Sequence, residues 1–192
     1  MYHDLFRDAR FWTFLWKVDE DLAKCARHQG CSCGGRLHCA NYPRKPRGGE
    51  NLPDSYQYRL SFCCDRDGCR KRTTPPSVRF LGRKVYLSVV VILVAAMRQG
   101  PSPRRVHELR QWLGVDRRTM DRWREFWQEH VPQTPFWKVN RGRFVRLAMA
   151  DLPRALWEAF VHQPDCHEQW RQLLLFLAPI TLPGALSSKG VS

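Results

Sequence analysis

Seven of the eight cysteines lie between Cys25 and Cys69, and five of them stand in two tight groups, Cys31-Ser32-Cys33-Gly34-Gly35 and Cys63-Cys64-Asp65-Arg66-Asp67-Gly68-Cys69. Thiolates are ligands for borderline-soft cations, and two cysteine turns separated by about thirty residues are the layout of a ribbon that closes a tetrahedral, four-sulfur Zn²⁺ site. Gly34 and Gly68 fit such turns, because glycine lets backbone amides point at the sulfurs. The predicted ligands are Cys31, Cys33, Cys64 and Cys69. One residue separates the first pair and four the second, where two is usual, so Cys63, His28, His38 and Cys39 stand near enough in sequence to substitute. Free, partly buried thiols are the competing reading. A disulfide framework belongs with a secretory leader, and the N-terminus carries none of the charged-then-apolar kind. The expected setting is a reducing one, the cytoplasm, in association with the nucleoid.

The second chemistry-bearing group is cationic. The formal net charge is +14, and 24 of the 32 Lys and Arg lie between Arg36 and Arg146, against 9 of the 18 Asp and Glu, so the flanks hold no net positive charge. A basic middle points to a polyanionic partner, most often nucleic acid. Within it, Arg44, Lys45 and Arg47 sit in a proline-stiffened loop, Lys71 and Arg72 follow the second cysteine turn, and Arg104, Arg105, Arg117, Arg118, Thr119 and Arg122 lie in a helical stretch. Arg141 and Arg143 flank Gly142. All thirteen are candidate DNA contacts. A solvated surface is the plain alternative for each cluster.

These side chains need elements to hold them. Over Arg104 to His130, Val106, Leu109 and Leu113 recur at helical spacing, Gly114 breaks the pattern, and Val115, Met120, Trp123 and Trp127 resume it. This predicts a helix-turn-helix, with Gly114 in a left-handed turn and Asp116 capping the second helix, whose Arg117, Arg118, Arg122 and Arg124 project outward like those of a recognition helix. An ordinary pair of antiparallel helices with a solvated basic face has the same spacing. Val85 to Met97 is apolar nearly all round and too short for a bilayer, which needs roughly 20 residues, so it predicts a buried first helix of the unit and no membrane association. Phe136, Trp137, Val139 and Phe144, Val145, Leu147 around Asn140-Arg141-Gly142-Arg143 predict a β-hairpin wing, with a basic linker as the alternative.

Leu5 to Arg27 predicts an amphipathic helix with Phe11, Leu15, Val18 and Leu22 on one stripe, widened by Trp12 and Trp16, and Asp19, Glu20 and Asp21 opposite. Such a face must be covered by the rest of the chain or by a second copy in a homodimer. Tyr56, Tyr58, Leu60 and Phe62 alternate with Gln57, Arg59 and Ser61, predicting a strand that enters the second cysteine turn. Leu152 to Val161 and Cys166 to Leu177 predict two more helices. His162, Cys166 and His167 lack a fourth ligand nearby and are assigned packing and surface roles. The expected fold is mainly α with a small β zinc ribbon, divided as 1–29 N-terminal helix, 30–82 cysteine-rich domain, 83–147 helix-turn-helix domain with its wing, 148–182 C-terminal helices and 183–192 tail.

A cysteine-paired ribbon, a basic link through Arg72-Thr73-Thr74-Pro75-Pro76 and a three-helix unit over Cys31 to Val131 resemble, in that order, the N-terminal DNA-binding half of bacterial insertion-sequence transposases. In those enzymes an RNase H-like domain with three metal-binding carboxylates follows. Here too few residues remain after His130 for it, and Asp151, Glu158, Asp165 and Glu168 fall in one short helical region. The resemblance therefore implies double-stranded DNA binding without strand transfer. The expected function is that of an accessory or regulatory factor of a mobile element, not an enzyme, partnered by a transposase or recombinase subunit. The alternatives are a metal-dependent nuclease or recombinase subunit, and an RNA-binding or adaptor protein.

Overall fold

The computed structural model describes residues 7–48, 52–81, 86–96, 102–144, 152–161 and 165–182. It is mainly helical with small antiparallel sheets. Helix α1, Ala9–Gln29, starts at Asp8, whose carboxylate accepts the Arg10 amide at 2.8 Å, and stops at Gly30 with φ of 72°. Its apolar stripe is covered within the chain. Phe11, Trp12 and Leu15 are buried, the Tyr56 hydroxyl donates to the Trp12 carbonyl at 2.9 Å, and the Phe11 ring lies 5.2 Å from His167.

Asp19 corrects the expected acidic face of α1: it is 1% exposed. One carboxylate oxygen accepts Arg79 Nε at 2.7 Å and the Ser77 hydroxyl at 2.6 Å, and the other accepts the Val78 amide at 2.7 Å. The Arg79 guanidinium also donates to the carbonyls of Ser55 and Tyr58 and lies over the Trp16 ring at 4.4 Å. A buried ion pair is tolerable only where its remaining donors and acceptors are satisfied. Here the Ser77 hydroxyl and Val78 amide satisfy Asp19, and the Ser55 and Tyr58 carbonyls satisfy Arg79.

The cysteine-rich segment forms a three-stranded antiparallel sheet of β1, Leu37–Cys39, β4, Phe62–Cys64, and β5, Arg72–Thr73, in the order β1-β4-β5, with Leu37 opposite Cys64 and Phe62 opposite Thr73. A second ribbon pairs β2, Tyr42–Pro43, with β3, Tyr58–Arg59. The predicted continuous strand over Tyr56 to Phe62 is therefore broken. Asp54–Gln57 is a 3-10 turn, Tyr58 is turned out at 50% exposure, and Arg59 is buried. The alternation fails because the chain changes partner between β3 and β4, which inverts the faces on either side of the break.

Helix α2, Ser88–Ala95, is buried along nearly its whole length. Its Val-Val-Val-Ile run is a poor helix former, so tertiary burial is what holds the conformation. Val85 and Met97, at the ends of the predicted helix, lie outside the described residues. Helix α3, Pro103–Leu113, is capped by Ser102 and ends at Gly114 with φ of 62°. Helix α4, Arg117–Glu125, is capped by Asp116 and runs on through a wider turn, Phe126–His130.

The predicted wing is not a hairpin where it is described. Pro135–Asn140 is helix α5, followed by a 3-10 turn at Arg141–Arg143. Pro135 pre-sets the first helical φ, the Thr134 hydroxyl accepts the Trp137 amide at 3.1 Å, and Phe144 folds back to stack on Trp137 at 6.1 Å. Val145 and Leu147 lie outside the described residues. Helices α6, Arg154–Ala159, and α7, Cys166–Leu177, pack Trp157 on Trp170 at 4.3 Å.

Two apolar clusters result among the described residues. The larger joins residues of α1 to α7, from Phe11 to Ile180. The smaller consists of Ala23, Cys31, Leu37, Phe62 and Cys64, with Cys33, Leu60 and Cys69 against it. Among the described residues no helix is long and apolar enough to cross a membrane.

Candidate metal centre and basic helix face

Each cysteine turn is built by its own backbone. In the first, the Gly34 amide donates to the Cys31 carbonyl at 2.8 Å and the Cys31 amide to the Gly35 carbonyl at 3.1 Å, with Gly34 at φ of 82°. In the second, the Cys69 amide donates to the Arg66 carbonyl at 3.1 Å, with Gly68 at φ of 81° and Arg70 at 42°. The β1–β4 pairing brings the turns together. The Arg36 amide donates to the Asp65 carboxylate at 2.9 Å and the Asp65 amide to the Arg36 carbonyl at 3.0 Å, which fixes one turn on the other.

The outcome is a four-sulfur cage. Cys31 Sγ lies 3.7 Å from Cys69 Sγ, Cys33 Sγ lies 3.5 Å from Cys64 Sγ, and the four sulfurs all fall within 4.8 Å of one another. All are free thiols. Tetrahedral zinc with bonds of about 2.3 Å places its sulfurs about 3.8 Å apart, so the cage has the right size for one ion. Gly35 is required by close approach. A Cβ there would stand 2.5 Å from Cys64 Sγ.

The cage also biases its own protonation. The Gly35 amide and the three neighbouring thiols hold Cys33 down at about 6. The Arg66 amide favours a Cys64 thiolate, but burial and the neighbouring thiols outweigh it and push that thiol up to about 12. An ion entering the cage must displace protons from the thiols still holding them, so its affinity falls as pH falls.

The sequence left the ligand set open, and the fold separates the candidates. Cys63 directs its thiol to the Arg70 carbonyl at 3.4 Å, His38 meets the Asp65 carboxylate at 3.2 Å, and His28 and Cys39 are exposed. Among the described residues no other group of three or more His, Cys, Asp or Glu converges in this way. Cys166 is exposed and His167 faces Asp8 at 3.4 Å, while His162 lies outside the described residues.

In the basic stretch, Leu109, Leu113, Val115, Met120, Trp123 and Trp127 are all buried, and α4 packs on α2. Asp116 accepts the Thr119 amide at 2.7 Å, and Thr119 holds its carboxyl below the usual range. Arg117, Arg118 and Arg122 are exposed. Thr119, expected at a DNA surface, is instead 4% exposed. Its hydroxyl accepts Arg122 Nη2 at 2.8 Å and so fixes the direction of that guanidinium. The outer face is not uniformly basic. Asp121, Glu125 and Glu129 share its groove with the arginines, and Arg117 lies 3.8 Å from Asp121. On α3, Arg104 and Arg105 both reach Glu108, at 3.3 and 3.1 Å.

The other candidate DNA contacts lie on separate elements. Lys45, Arg47 and Lys71 are exposed, and Arg44 and Arg72 approach the Tyr42 ring at 5.2 and 5.6 Å. Arg72 also donates to the Ala40 carbonyl and the Ser61 hydroxyl, at 2.6 and 2.9 Å. Arg141 and Arg143 are exposed on a helical turn, with Arg143 over the Phe176 ring at 5.8 Å. The chain matches no family model, no curated protein and no solved structure.

Proposed function

We propose that this chain is a zinc-stabilised protein that binds double-stranded DNA without cutting it. The observation that carries the reading is the convergence of Cys31, Cys33, Cys64 and Cys69 in a chain that also carries a basic helix pair joined at a left-handed glycine. Four thiolates complete the coordination of zinc and leave no position for water, so the metal's role is structural. The pair α3–Gly114–α4 acts as the helix-turn-helix. Arg118 and Arg122 are its base- and phosphate-directed cations, and the Thr119 hydroxyl steadies Arg122.

Four acidic residues are taken up by structural tasks, which favours binding over catalysis. Asp116 and Asp165 cap helices, Asp19 balances Arg79, and Asp65 ties the cysteine turns together. The accessory role in a mobile element rests on the resemblance in segment order and requires a separate catalytic subunit. Finding a transposase gene beside this one would support it.

Binding of the zinc-loaded chain to duplex DNA and to single-stranded RNA of equal length, across a salt series, tests the reading. Tighter duplex binding that weakens steeply with salt is expected. Preference for the RNA transfers the chain to the RNA-binding class.

A further inference from the structure

A helix in a major groove reads bases, but phosphate contacts around it fix its register. Helix α4 is poorly supplied with such contacts by itself, since Asp121, Glu125 and Glu129 lie among its outward arginines. The missing cations are found some seventy residues earlier. The loop after β2 is clamped to the helical core by its backbone. The Arg47 carbonyl accepts the Leu87 amide at 3.2 Å, Arg47 and Tyr86 form a parallel bridge, and Gly48, at φ of 97°, lies so near α2 that a Cβ there would stand 2.9 Å from a Val90 methyl. Tyr86 then meets Trp123 edge-on, with ring centroids 4.9 Å apart. Trp123 is the inward residue of α4, directly between Arg122 and Arg124 in the chain. The loop backbone is thus two contacts from α4, while the side chains of Lys45 and Arg47 stay exposed.

We propose that Lys45 and Arg47 form one continuous duplex-binding surface with the outer face of α4, the loop lying on phosphates beside the groove the helix enters. The inference rests on the DNA-binding reading of α4 and adds its second half. Charge complementarity selects the occupant: two exposed cations beside a helix that fits a major groove match the backbone flanking that groove. The β2–β3 ribbon is therefore part of the interface, because the loop leaves from β2.

The test uses the full-length, zinc-loaded chain and two probes, a random-sequence duplex of about 30 base pairs and a duplex of that length selected from the pool by the wild-type protein. For Lys45→Gln/Arg47→Gln, the slope of log affinity against log salt should shrink by about two units, about 0.9 per lost phosphate contact. Its preference for the selected duplex should stay within about twofold, whereas Arg118→Ala/Arg122→Ala should lower that preference at least about tenfold. Hydroxyl-radical footprints should lose only protections flanking the helix site in the loop variant. Lys45→Gln alone should give about half the slope change, and equal zinc content and melting temperature establish that each variant is folded.

An unchanged slope and footprint in the loop variants, with the helix variant still losing preference, overturns the continuous surface and leaves the DNA reading standing. A wild-type chain that prefers single-stranded RNA removes both.

Discussion

At the scale of single residues, Gly35 and Asp19 hold the most, and they do so differently. Gly35 is required by space. Any side chain there enters the cage 2.5 Å from Cys64 Sγ, with the Arg66 Cβ and the Asp65 carboxylate also within 3.2 Å, in a turn that the β1–β4 register holds in place. Gly35→Ala should therefore lower zinc content well below one equivalent and reduce thermal stability, while Gly142→Ala, where a Cβ meets nothing within 4 Å, serves as the neutral control. Metal analysis after non-chelating purification checks this, and a Gly35→Ala protein with full zinc refutes it. Asp19 is required by charge. Asp19→Ala leaves the Arg79 guanidinium buried without its counter-ion, and such a break costs about 3–5 kcal/mol. Denaturant unfolding measures it, and a loss under about 1 kcal/mol means that the carbonyls of Ser55 and Tyr58 suffice for Arg79.

At the scale of elements, the helix pair and the sheet were legible to different degrees. Periodicity of 3.6 together with Gly114 and Asp116 placed α3 and α4 closely, because caps and a left-handed turn act within a few residues. The alternation over Tyr56 to Phe62 misled, since it presumes one strand with one partner and the chain here has two. The hairpin expected around Gly142 also gave way to local chemistry, with Thr134 and Pro135 starting a helix whose Trp137 the core then takes up. On α4 the expected outcome is that Arg118→Ala and Arg122→Ala each weaken duplex binding by about 1–3 kcal/mol or lower the salt slope by about one unit, whereas Arg7→Ala and Arg171→Ala do neither. Arg171 is occupied by Glu168 at 2.8 Å. Equal gel-shift effects of all four variants refute the recognition-helix role.

At the scale of the molecule, the two apolar clusters divide the work. The smaller has five buried members, two of them cysteines, so without a metal little apolar surface holds its turns together. Chelation should abolish the protease resistance of the cysteine-rich segment while most of the helical circular dichroism persists, because the larger cluster draws on every helix. Unchanged protease resistance after complete zinc removal refutes the structural role of the metal. The same division bears on activity. Purified protein with Mg²⁺ or Mn²⁺ should bind duplex DNA and leave supercoiled plasmid intact, since two-metal strand chemistry needs converging carboxylates about 3.5–4 Å apart across two ions. Cleavage that an Asp116→Ala or Asp151→Ala change abolishes refutes the binding-only reading.

Residue types and short-range spacing by themselves determined the cysteine pairs, the glycine turn between α3 and α4, the cap at Asp116, and the concentration of positive charge in the middle of the chain. These follow from interactions spanning a few residues, which a sequence carries in plain order. Only the tertiary structure decided which four sulfurs share a cage, because Cys31 and Cys69 meet through a strand register and not through their own spacing. It also decided that Asp19 and Arg79 form a buried pair across 60 residues, that Arg59 points inward, and that Thr119 braces Arg122 from below the surface. Each of these sets the desolvation of a polar group against partners from distant segments, and that balance exists only once the segments have met.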